Sequence, residues 1–188
     1  MEVVHSNGEA VTHEDTSLSL RRCFGHFATG VAVVTYDGGD QPRGLTVNSF
    51  TSVSLDPPLV LVCLDKRSRA IPHLIGAPFG VNVLTAGQRD LAWHFAGKSV
   101  GAVPAWRNIG LVPLLDHSLA WMTCTPWSSH DAGDHLILVG KVNRFGSGQH
   151  DPLCFYRGQF AGMTQASAQG GERHVAARET ESRTFLVD

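Results

Sequence analysis

The chain has 188 residues, of which 43% are apolar and 17% are charged, and its formal net charge is −2. This length and balance predict one globular domain with a substantial core and argue against disorder. A nearly neutral chain without a basic block is not expected to bind nucleic acid, and its purely apolar run Leu59–Leu64 is too short to span a membrane.

Cysteine usage and the N-terminus indicate the cellular compartment. The four cysteines form no Cys-x-x-Cys unit, which disfavours a zinc ribbon or a dithiol redox motif. Three of them lie in apolar stretches and are expected to be buried free thiols, which suits a reducing cytoplasm. Residues 1–15 contain no apolar segment typical of a secretory signal. We therefore expect a cytoplasmic protein.

The chain is expected to begin with a flexible polar arm over residues 1–16. A helix is predicted to start near Thr16 or Ser17 and to end before Gly30. Its apolar face follows i, i+3, i+4, i+7 spacing at Leu20, Cys23, Phe24 and Phe27. The domain itself is expected to span residues 17–163, and residues 164–188 are expected to form a C-terminal tail.

Six strands are predicted after this helix, with a seventh, short candidate at the end. In chain order they are Val31–Tyr36, Gly44–Thr51, Leu59–Leu64, Phe79–Leu84, Leu119–Thr125, His135–Phe145 and the candidate Cys154–Phe160. Two short helices are predicted, one within residues 68–76 and one from the Thr85–Gln88 capping box to about Ala96. Residues 97–113 and Pro126–Asp134 are expected to be loops.

This order of elements predicts the fold class. Many strands with a few short flanking helices favour a mainly β fold, a closed antiparallel barrel, because closure removes exposed strand edges. A Rossmann fold is disfavoured, since strands and helices do not alternate regularly and no Gly-x-Gly-x-x-Gly follows a strand.

The predicted strand Gly44–Thr51 carries the first candidate binding residues. Asn48 has both a donor and an acceptor and can read the alternating N–H and C=O edge of a planar ring. Ser49 and Ser52 can donate to a ring oxygen or a phosphate. The alternative is an edge strand with hydrated polar side chains. Thr46 shares a face with Asn48 because strand side chains alternate.

The second candidate is the unit Asp65-Lys66-Arg67-Ser68, directly after the buried strand Leu59–Leu64. Two cations, a hydroxyl and the free N–H groups of a helix start would favour a phosphate. The alternative is a solvated turn with surface cations. A polar wall, a buried strand and a cationic corner together suit a flat ligand with a phosphate tail, and a flavin nucleotide is such a ligand.

The loop before the strand at His135 is the third candidate. His135 could donate to a nicotinamide carboxamide or balance charge during hydride transfer. A second interpretation is a metal site formed by His130, Asp131, Asp134 and His135. A third is an ordinary turn in which Asp134 bonds its own backbone. At the end of the second helix, Phe95 could cover a ring system, or it could pair with Leu91 in the core.

Taken together, these residues resemble the flavin reductase-like family, the reductase components of two-component flavin-dependent monooxygenases. The resemblance runs in order over roughly residues 19–160. It is carried by the segments 24–31, FGHFATGV; 44–58, GLTVNSFTSVSLDPP; 65–68, DKRS; 79–84, FGVNVL; 133–135, GDH; and 156–158, YRG. Cys154 and Phe155 depart from the family's usual residues, and the tail after Met163 is longer than in compact members.

The resemblance implies an FMN-binding split barrel, usually a homodimer. It implies that Thr46, Asn48, Ser49 and Ser52 surround the flavin, that Lys66, Arg67 and Ser68 hold its phosphate beside Asp65, that Asn82 and Phe95 lie near it, and that His135 faces the nicotinamide. The implied activity is that of an NAD(P)H:flavin oxidoreductase, which uses NADH or NADPH to reduce FMN or FAD and supplies reduced flavin to a monooxygenase.

Two other classes of function remain open at this point. Such a barrel could be a non-catalytic module that binds flavin as a carrier or sensor. It could also be a self-contained flavoprotein that reduces its own substrate on tightly bound FMN. The sequence does not distinguish FMN from FAD or NADH from NADPH.

Overall fold

The computed structural model describes residues 13–98 and 100–163. The expected C-terminal tail and most of the expected N-terminal arm lie outside these residues. The helices are α1 His13–Phe24, α2 Ile71–Leu74 and α3 Arg89–Phe95, the last preceded by a 3-10 turn, Ala86–Gln88. The strands are β1 Thr29–Gly30, β2 Ala32–Asp37, β3 Pro42–Val47, β4 Thr51–Leu55, β5 Pro58–Asp65, β6 Phe79–Val83, β7 Trp106–Ile109, β8 Val112–Leu115, β9 Ala120–Ala132, β10 His135–Ser147, β11 Leu153–Tyr156 and β12 Gln159–Gly162.

A seven-stranded antiparallel sheet forms the body of the fold. Its strand order is β3-β2-β6-β9-β10-β5-β4, and two smaller sheets, β1-β11-β12 and β7-β8, accompany it. The two end strands, β3 and β4, are consecutive in the chain, so the sheet curls until its ends approach each other. The predicted mainly β antiparallel fold with a few short helices is confirmed. Within the described residues, no helix is both long and apolar enough to cross a membrane.

The barrel is not closed by a backbone ladder in the part of the chain that the structure describes. Just after β3, a side chain bonds to the backbone of β5. Ser49 Oγ accepts the Cys63 N–H at 2.9 Å and donates to the Cys63 carbonyl at 3.1 Å. The prediction of a fully closed barrel is therefore wrong in its pairing, because β3 ends before it can form a ladder with β5. A split arrangement is consistent with this geometry.

The core has two parts, one on each side of β2. The larger lies within the curled sheet and includes Phe79, Leu64 and Leu138. At Gly140 on β10, an added Cβ would lie 2.4 Å from the Phe79 ring, so only glycine fits this close approach. The smaller part is covered by α3 and comprises Val31, Val33, Leu84, Ala92, Leu115 and Leu153.

A buried amide joins the β7-β8 hairpin to the main sheet. Asn82 on β6 is fully buried, and its Nδ2 donates to the Val33 carbonyl and to Thr35 Oγ1, both at 3.0 Å. Its Oδ1 accepts the Leu115 N–H at 2.9 Å. Thr35 in turn donates to the Pro113 carbonyl. Because each of these polar groups is satisfied, the network stabilises the sheet.

The predicted strand Gly44–Thr51 is instead two strands and a break. Val47 makes the last pairing of β3 with β2, opposite Ala32. The chain then leaves that ladder at residues 48–50, where Ser49 bonds to β5, and Thr51 starts β4. The alternation expected over Asn48 and Ser49 therefore does not apply, since these two residues lie in a connection.

Two predicted loops contain regular structure. Residues 97–113 include β7 and the start of β8, strands too short to give a clear pattern. The expected loop Pro126–Asp134 belongs mostly to β9. Pro126 is paired with Gly140, and a register shift between Gly140 and Val139 follows it. Only Gly133 and Asp134 form the turn, and the φ of +73° at Gly133 suits it.

The predicted C-terminal strand and first helix also differ from the structure. Cys154–Phe160 is a hairpin of β11 and β12 and not one strand. Helix α1 starts at His13, earlier than expected, and ends at Phe24. The side chains of Phe24 and Phe27 are 67% and 78% exposed, so the predicted apolar face is not buried against the described residues.

The thiols are less buried than expected, although all four are free. Cys124 alone among them is buried, and burial raises its pKa to about 12. Cys23 is exposed, whereas Cys63 and Cys154 are half-buried.

Replacing Asn82 with alanine should destabilise the fold. The Asn82→Ala variant leaves the Leu115 N–H buried without its acceptor, and the expected loss is about 1–3 kcal/mol of unfolding free energy. Urea unfolding monitored by circular dichroism measures this loss. Asn108→Ala is the control, because Asn108 is an exposed amide on β7. Equal unfolding midpoints for the two variants would contradict the role of the network.

Candidate functional site

The end of β5 and the β9-β10 turn meet at one edge of the main sheet. Seven residue pairs join β5 to β10 in antiparallel register, and the last of them places Asp65 opposite His135. The Lys66 N–H then donates to the Asp134 carbonyl at 3.0 Å. This pairing brings together segments far apart in sequence. We call residues 65–68 and 131–135 the charged corner.

Asp65 holds the turn that carries the two cations. Its side chain is nearly fully buried, and its Oδ1 accepts the Arg67 N–H at 2.8 Å. Arg67 also donates from Nε to Oδ1 at 3.1 Å and from a terminal nitrogen to Oδ2 at 2.6 Å. These hydrogen bonds from Arg67 lower the pKa of Asp65 to about 2. Asp65 is therefore an anionic support of the turn, and its carboxylate oxygens are already engaged.

Lys66 connects this turn to the opposite hairpin. Its Nζ lies 2.5 Å from Asp131 Oδ2 and 2.6 Å from the Gly133 carbonyl oxygen. The hydrogen bond from Lys66 lowers the pKa of Asp131. An ammonium has three donors, so these two partners leave a third for a ligand.

Ser68 contributes a hydroxyl but no long helix start. Its Oγ accepts the Ala70 N–H at 3.2 Å, and its backbone N–H donates to the Asp65 carbonyl at 2.9 Å. Helix α2 begins only at Ile71 and has four residues. The expected contribution of a helix start to phosphate binding is therefore small, and side chains supply the donors in this corner.

His135 is oriented by its neighbour. The His135 Nδ1 lies 2.7 Å from Asp134 Oδ1, and because a carboxylate accepts, Nδ1 carries the proton of this hydrogen bond. The bond to His135 lowers the pKa of Asp134. Since the imidazole is 37% exposed, its Nε2 edge can contact a ligand. Sequence reasoning offered three roles for this residue, and the geometry favours an oriented donor or acceptor.

The metal interpretation of this loop is not supported by the geometry. His130 Nε2 lies 3.0 Å from Ser128 Oγ, Asp131 pairs with Lys66, and Asp134 pairs with His135. Among the described residues, no three His, Cys, Asp or Glu side chains are grouped so as to hold a metal ion.

The serines and Asn48 lie along one edge of β5. Ser52 is opposite Val60, Ser49 is bonded to Cys63, and Asp65 ends the strand. At about 3.3 Å per residue, the five steps from Val60 to Asp65 span about 16 Å. Asn48 and Ser52 are exposed, and Ser49 is half-buried. Together with the charged corner, these residues place polar groups beside β5 in an order that suits an elongated ligand with an anionic end, and we call this set the polar strip.

Three predicted contacts lie away from this strip or have no free polar atom. Asn82 is fully buried in the network described above and exposes nothing to a ligand. Thr46 is 9% exposed and donates to the Ala92 carbonyl at 2.7 Å. Phe95 is half-buried, packs edge-on to Trp106 and lies over Gly44. Thr46 is covered because α3 packs on this side of β3, whereas Asn82 is enclosed by its partners on β2 and β8.

Asp131 and the Gly133 carbonyl were missed as partners of Lys66. Lys66 and Asp131 are 65 positions apart, and no local pattern predicts their contact. Only the register of β10 against both β5 and β9 brings them together. The extension of β9 through Asp131 was not predicted either, because Pro126–Asp134 was expected to be a loop.

Comparison with known proteins identifies the class of protein. A family description, flavin reductase like domain, matches residues 24–164, which is most of the chain. The chain therefore belongs to the flavin reductase-like family, as its motifs indicated.

Relatives in this family carry reductase names. A probable flavin reductase of Rhizobium meliloti is 41% identical over 181 residues, covering 90% of this chain, which spans 58% of that protein's length. The FMN reductase (NADH) SmoA of Agrobacterium fabrum is 43% identical over 149 residues, covering 78% of this chain and 86% of its own.

Two solved structures show the same fold. One is nitrilotriacetate monooxygenase component B from Mycobacterium thermoresistibile, with a TM-score of 0.77, 35% identity, and coverage of 86% of this chain and 96% of that one. The other is the NADH:FAD oxidoreductase SgcE6 of Streptomyces globisporus, solved with NAD and FAD fragments. Its TM-score is 0.76 at 38% identity, and the match covers 86% of this chain and all of that one.

The depressed pKa of Asp65 predicts a pH-dependent contribution to stability. Because the pKa of Asp65 is lower in the folded state, its ionised carboxylate stabilises the fold at pH values above its ordinary pKa of 3.8. This stabilisation is lost as the pH falls towards about 2. Asp65→Asn should therefore lower the free energy of unfolding by about 1 kcal/mol at about pH 6, and by less at about pH 3. The value is modest because Arg67 is largely exposed to solvent. Urea unfolding at both pH values measures the difference. The control is Asp151→Asn, an exposed loop carboxylate, and a pH-independent cost at Asp65 would contradict the assignment.

Proposed function

We propose that this chain is an NADH-dependent flavin reductase, an oxidoreductase that supplies reduced flavin to a separate monooxygenase. The observation that carries the proposal is the polar strip along β5, which ends in the charged corner beside an oriented His135. Family membership supports it, as do the names of the Agrobacterium and Streptomyces relatives and of the monooxygenase component from Mycobacterium.

The donors of the charged corner fit an anionic flavin tail. Lys66 has one N–H donor beyond its two described partners, and Ser68 has a hydroxyl proton with no acceptor among the described residues. Arg67 adds positive charge, while Asp65 keeps that guanidinium in place. Charge-assisted hydrogen bonds of this kind hold phosphates in proteins.

The strip beside β5 fits the polar part of the ligand. Asn48 and Ser52 are exposed and can meet the ring edge and the polyol chain. Ser49 already bonds the Cys63 backbone at both of its groups, so it holds residues 48–50 against β5 and shapes the strip. In this proposal three predicted residues have a structural role and do not contact the ligand: Thr46, Asn82 and Phe95.

Hydride transfer needs little from protein acids and bases. The flavin accepts the hydride and the nicotinamide gives it, so the chemistry belongs to the two bound groups. The protein binds and orients them. His135 is proposed to contact the nicotinamide through its exposed Nε2 edge, with Asp134 holding the ring.

The names of the relatives support a choice of cofactors. One is named for FMN and another for FAD, so either flavin is proposed as substrate, and NADH is favoured over NADPH as donor.

A homodimer is proposed because Phe24 and Phe27 present a large exposed apolar surface. The free thiols suit a reducing compartment, and a cytoplasmic location is proposed.

The activity is tested by anaerobic NADH oxidation with riboflavin, FMN or FAD as acceptor. We expect turnover that depends on added flavin, and reduced flavin that is recovered free after rapid filtration. Flavin binding without NADH oxidation above the buffer rate would instead favour a binding module. Stoichiometric flavin that survives dialysis, with activity indifferent to added flavin, would favour a self-contained flavoprotein.

Removing the two tail donors should weaken nucleotide binding selectively. Lys66→Ala combined with Ser68→Ala is expected to raise the Kd of FMN roughly 10- to 100-fold, from the loss of charged hydrogen bonds. Riboflavin, which lacks the phosphate, should bind almost as before. Fluorescence titration gives both constants, and Lys141→Ala is the control because Lys141 is exposed on β10. An unaltered FMN titration would remove the phosphate assignment.

Replacing His135 should affect the nicotinamide more than the flavin. His135→Ala is expected to raise the KM for NADH about three- to tenfold, the loss of one hydrogen bond, with little change in the FMN Kd. Steady-state kinetics and fluorescence titration separate the two effects. His150→Ala, in the exposed connection before β11, is the matched control. Unchanged kinetics in His135→Ala would exclude the assigned role.

A further inference from the structure

We propose that Asp131 is a positioning residue, which couples the anionic tail of the flavin, through Lys66, to the hairpin that carries His135. The proposal rests on the reductase function given above and deepens it. It assigns a role to an exposed carboxylate that touches neither substrate.

In addition to the β5-β10 ladder, three hydrogen bonds from Lys66 join the hairpin turn to the end of β5. Its ammonium bonds the Asp131 carboxylate and the Gly133 carbonyl oxygen, and its backbone N–H bonds the Asp134 carbonyl. Asp131 is 78% exposed and Asp134 is 88% exposed, so packing contributes little at this tip. Beyond the two strand ladders that flank it, the turn is therefore attached to the end of β5 through Lys66, by both its ammonium and its backbone N–H.

The position of His135 depends on this turn. Its imidazole is bonded to Asp134, whose own carbonyl is held by Lys66. A displacement of residues 131–134 would move the Asp134 carboxylate and change the direction of the His135 ring. The Lys66–Asp131 ion pair thus affects the orientation of His135 indirectly, through the backbone of the turn.

The three N–H donors of the Lys66 ammonium allow it to bind the hairpin and the flavin phosphate at the same time. Two are engaged by Asp131 and the Gly133 carbonyl, and the third is directed to the phosphate in the proposed complex. A phosphate bound there restrains the ammonium, and the restrained ammonium holds the hairpin. Flavin and nicotinamide should then bind with positive coupling, and linkage requires the effect to be equal in both directions.

The coupling is measured as the change in FMN Kd caused by saturating NAD⁺, which does not react with oxidised flavin. In the wild-type protein we expect NAD⁺ to tighten FMN binding about fivefold or more, within the usual range for coupled sites. Asp131→Asn should reduce this factor to near one. Asp131→Glu, which keeps the carboxylate, should restore most of it, whereas a purely structural role for Asp131 would not give this pattern.

Riboflavin gives a second test that requires no variant. It lacks the phosphate, so NAD⁺ should tighten its binding to the wild-type protein much less than that of FMN. Asp151→Asn is the control variant and should keep the full coupling with FMN. This comparison remains decisive even if Asp131→Asn fails to fold.

The outcomes separate the two proposals. If the wild-type protein binds FMN and oxidises NADH, but Asp131→Asn keeps the coupling or riboflavin is coupled as strongly as FMN, the role of Asp131 is overturned and the reductase function stands. If an active wild-type protein shows no coupling between NAD⁺ and FMN binding, the role of Asp131 is likewise overturned and the reductase function stands. If the wild-type protein neither binds flavin nor oxidises NADH, both proposals fail.

Discussion

The antiparallel register between β5 and β10 is the constraint on which the candidate site depends. Its seven residue pairs run from Leu59 opposite Lys141 to Asp65 opposite His135 at the edge of the sheet. A shift of one residue would turn the buried side chains Val62 and Leu64 outwards and lose a large part of the core. The packing that fixes the fold therefore also fixes the distance between the two halves of the charged corner.

Both basic side chains of this corner, Lys66 and Arg67, already have carboxylate partners before any ligand binds. Arg67 is paired with Asp65, Lys66 with Asp131, and His135 with Asp134. A phosphate must compete with, or share, cations that already have carboxylate partners, which limits its affinity relative to an unpaired cluster. Moderate affinity suits the proposed release of the product flavin, and the proposed coupling of tail and hairpin uses the same shared cation.

Several predictions from the sequence succeeded because local chemistry decides them. The capping box at Thr85 and Gln88 forms as expected, and Pro72 lies in the first turn of α2. The apolar run at Leu59–Leu64 is a core strand that extends by one residue at each end, and the start of the strand at His135 was placed correctly. Predictions failed where tertiary contacts override local pattern, as at Asn48–Phe50, where a bond from Ser49 to another strand interrupts the ladder.

The sequence by itself determined the fold class, the strands of the core and the family, because apolar periodicity and ordered motifs are local properties of the chain. It also supplied Lys66, Ser68 and His135 as candidate residues. Tertiary structure alone decided which candidates face a common strip and which are committed elsewhere, as Asn82 and Thr46 are. It alone revealed Asp131 as the partner of Lys66, since a contact across 65 positions is set by strand register and not by any nearby residue.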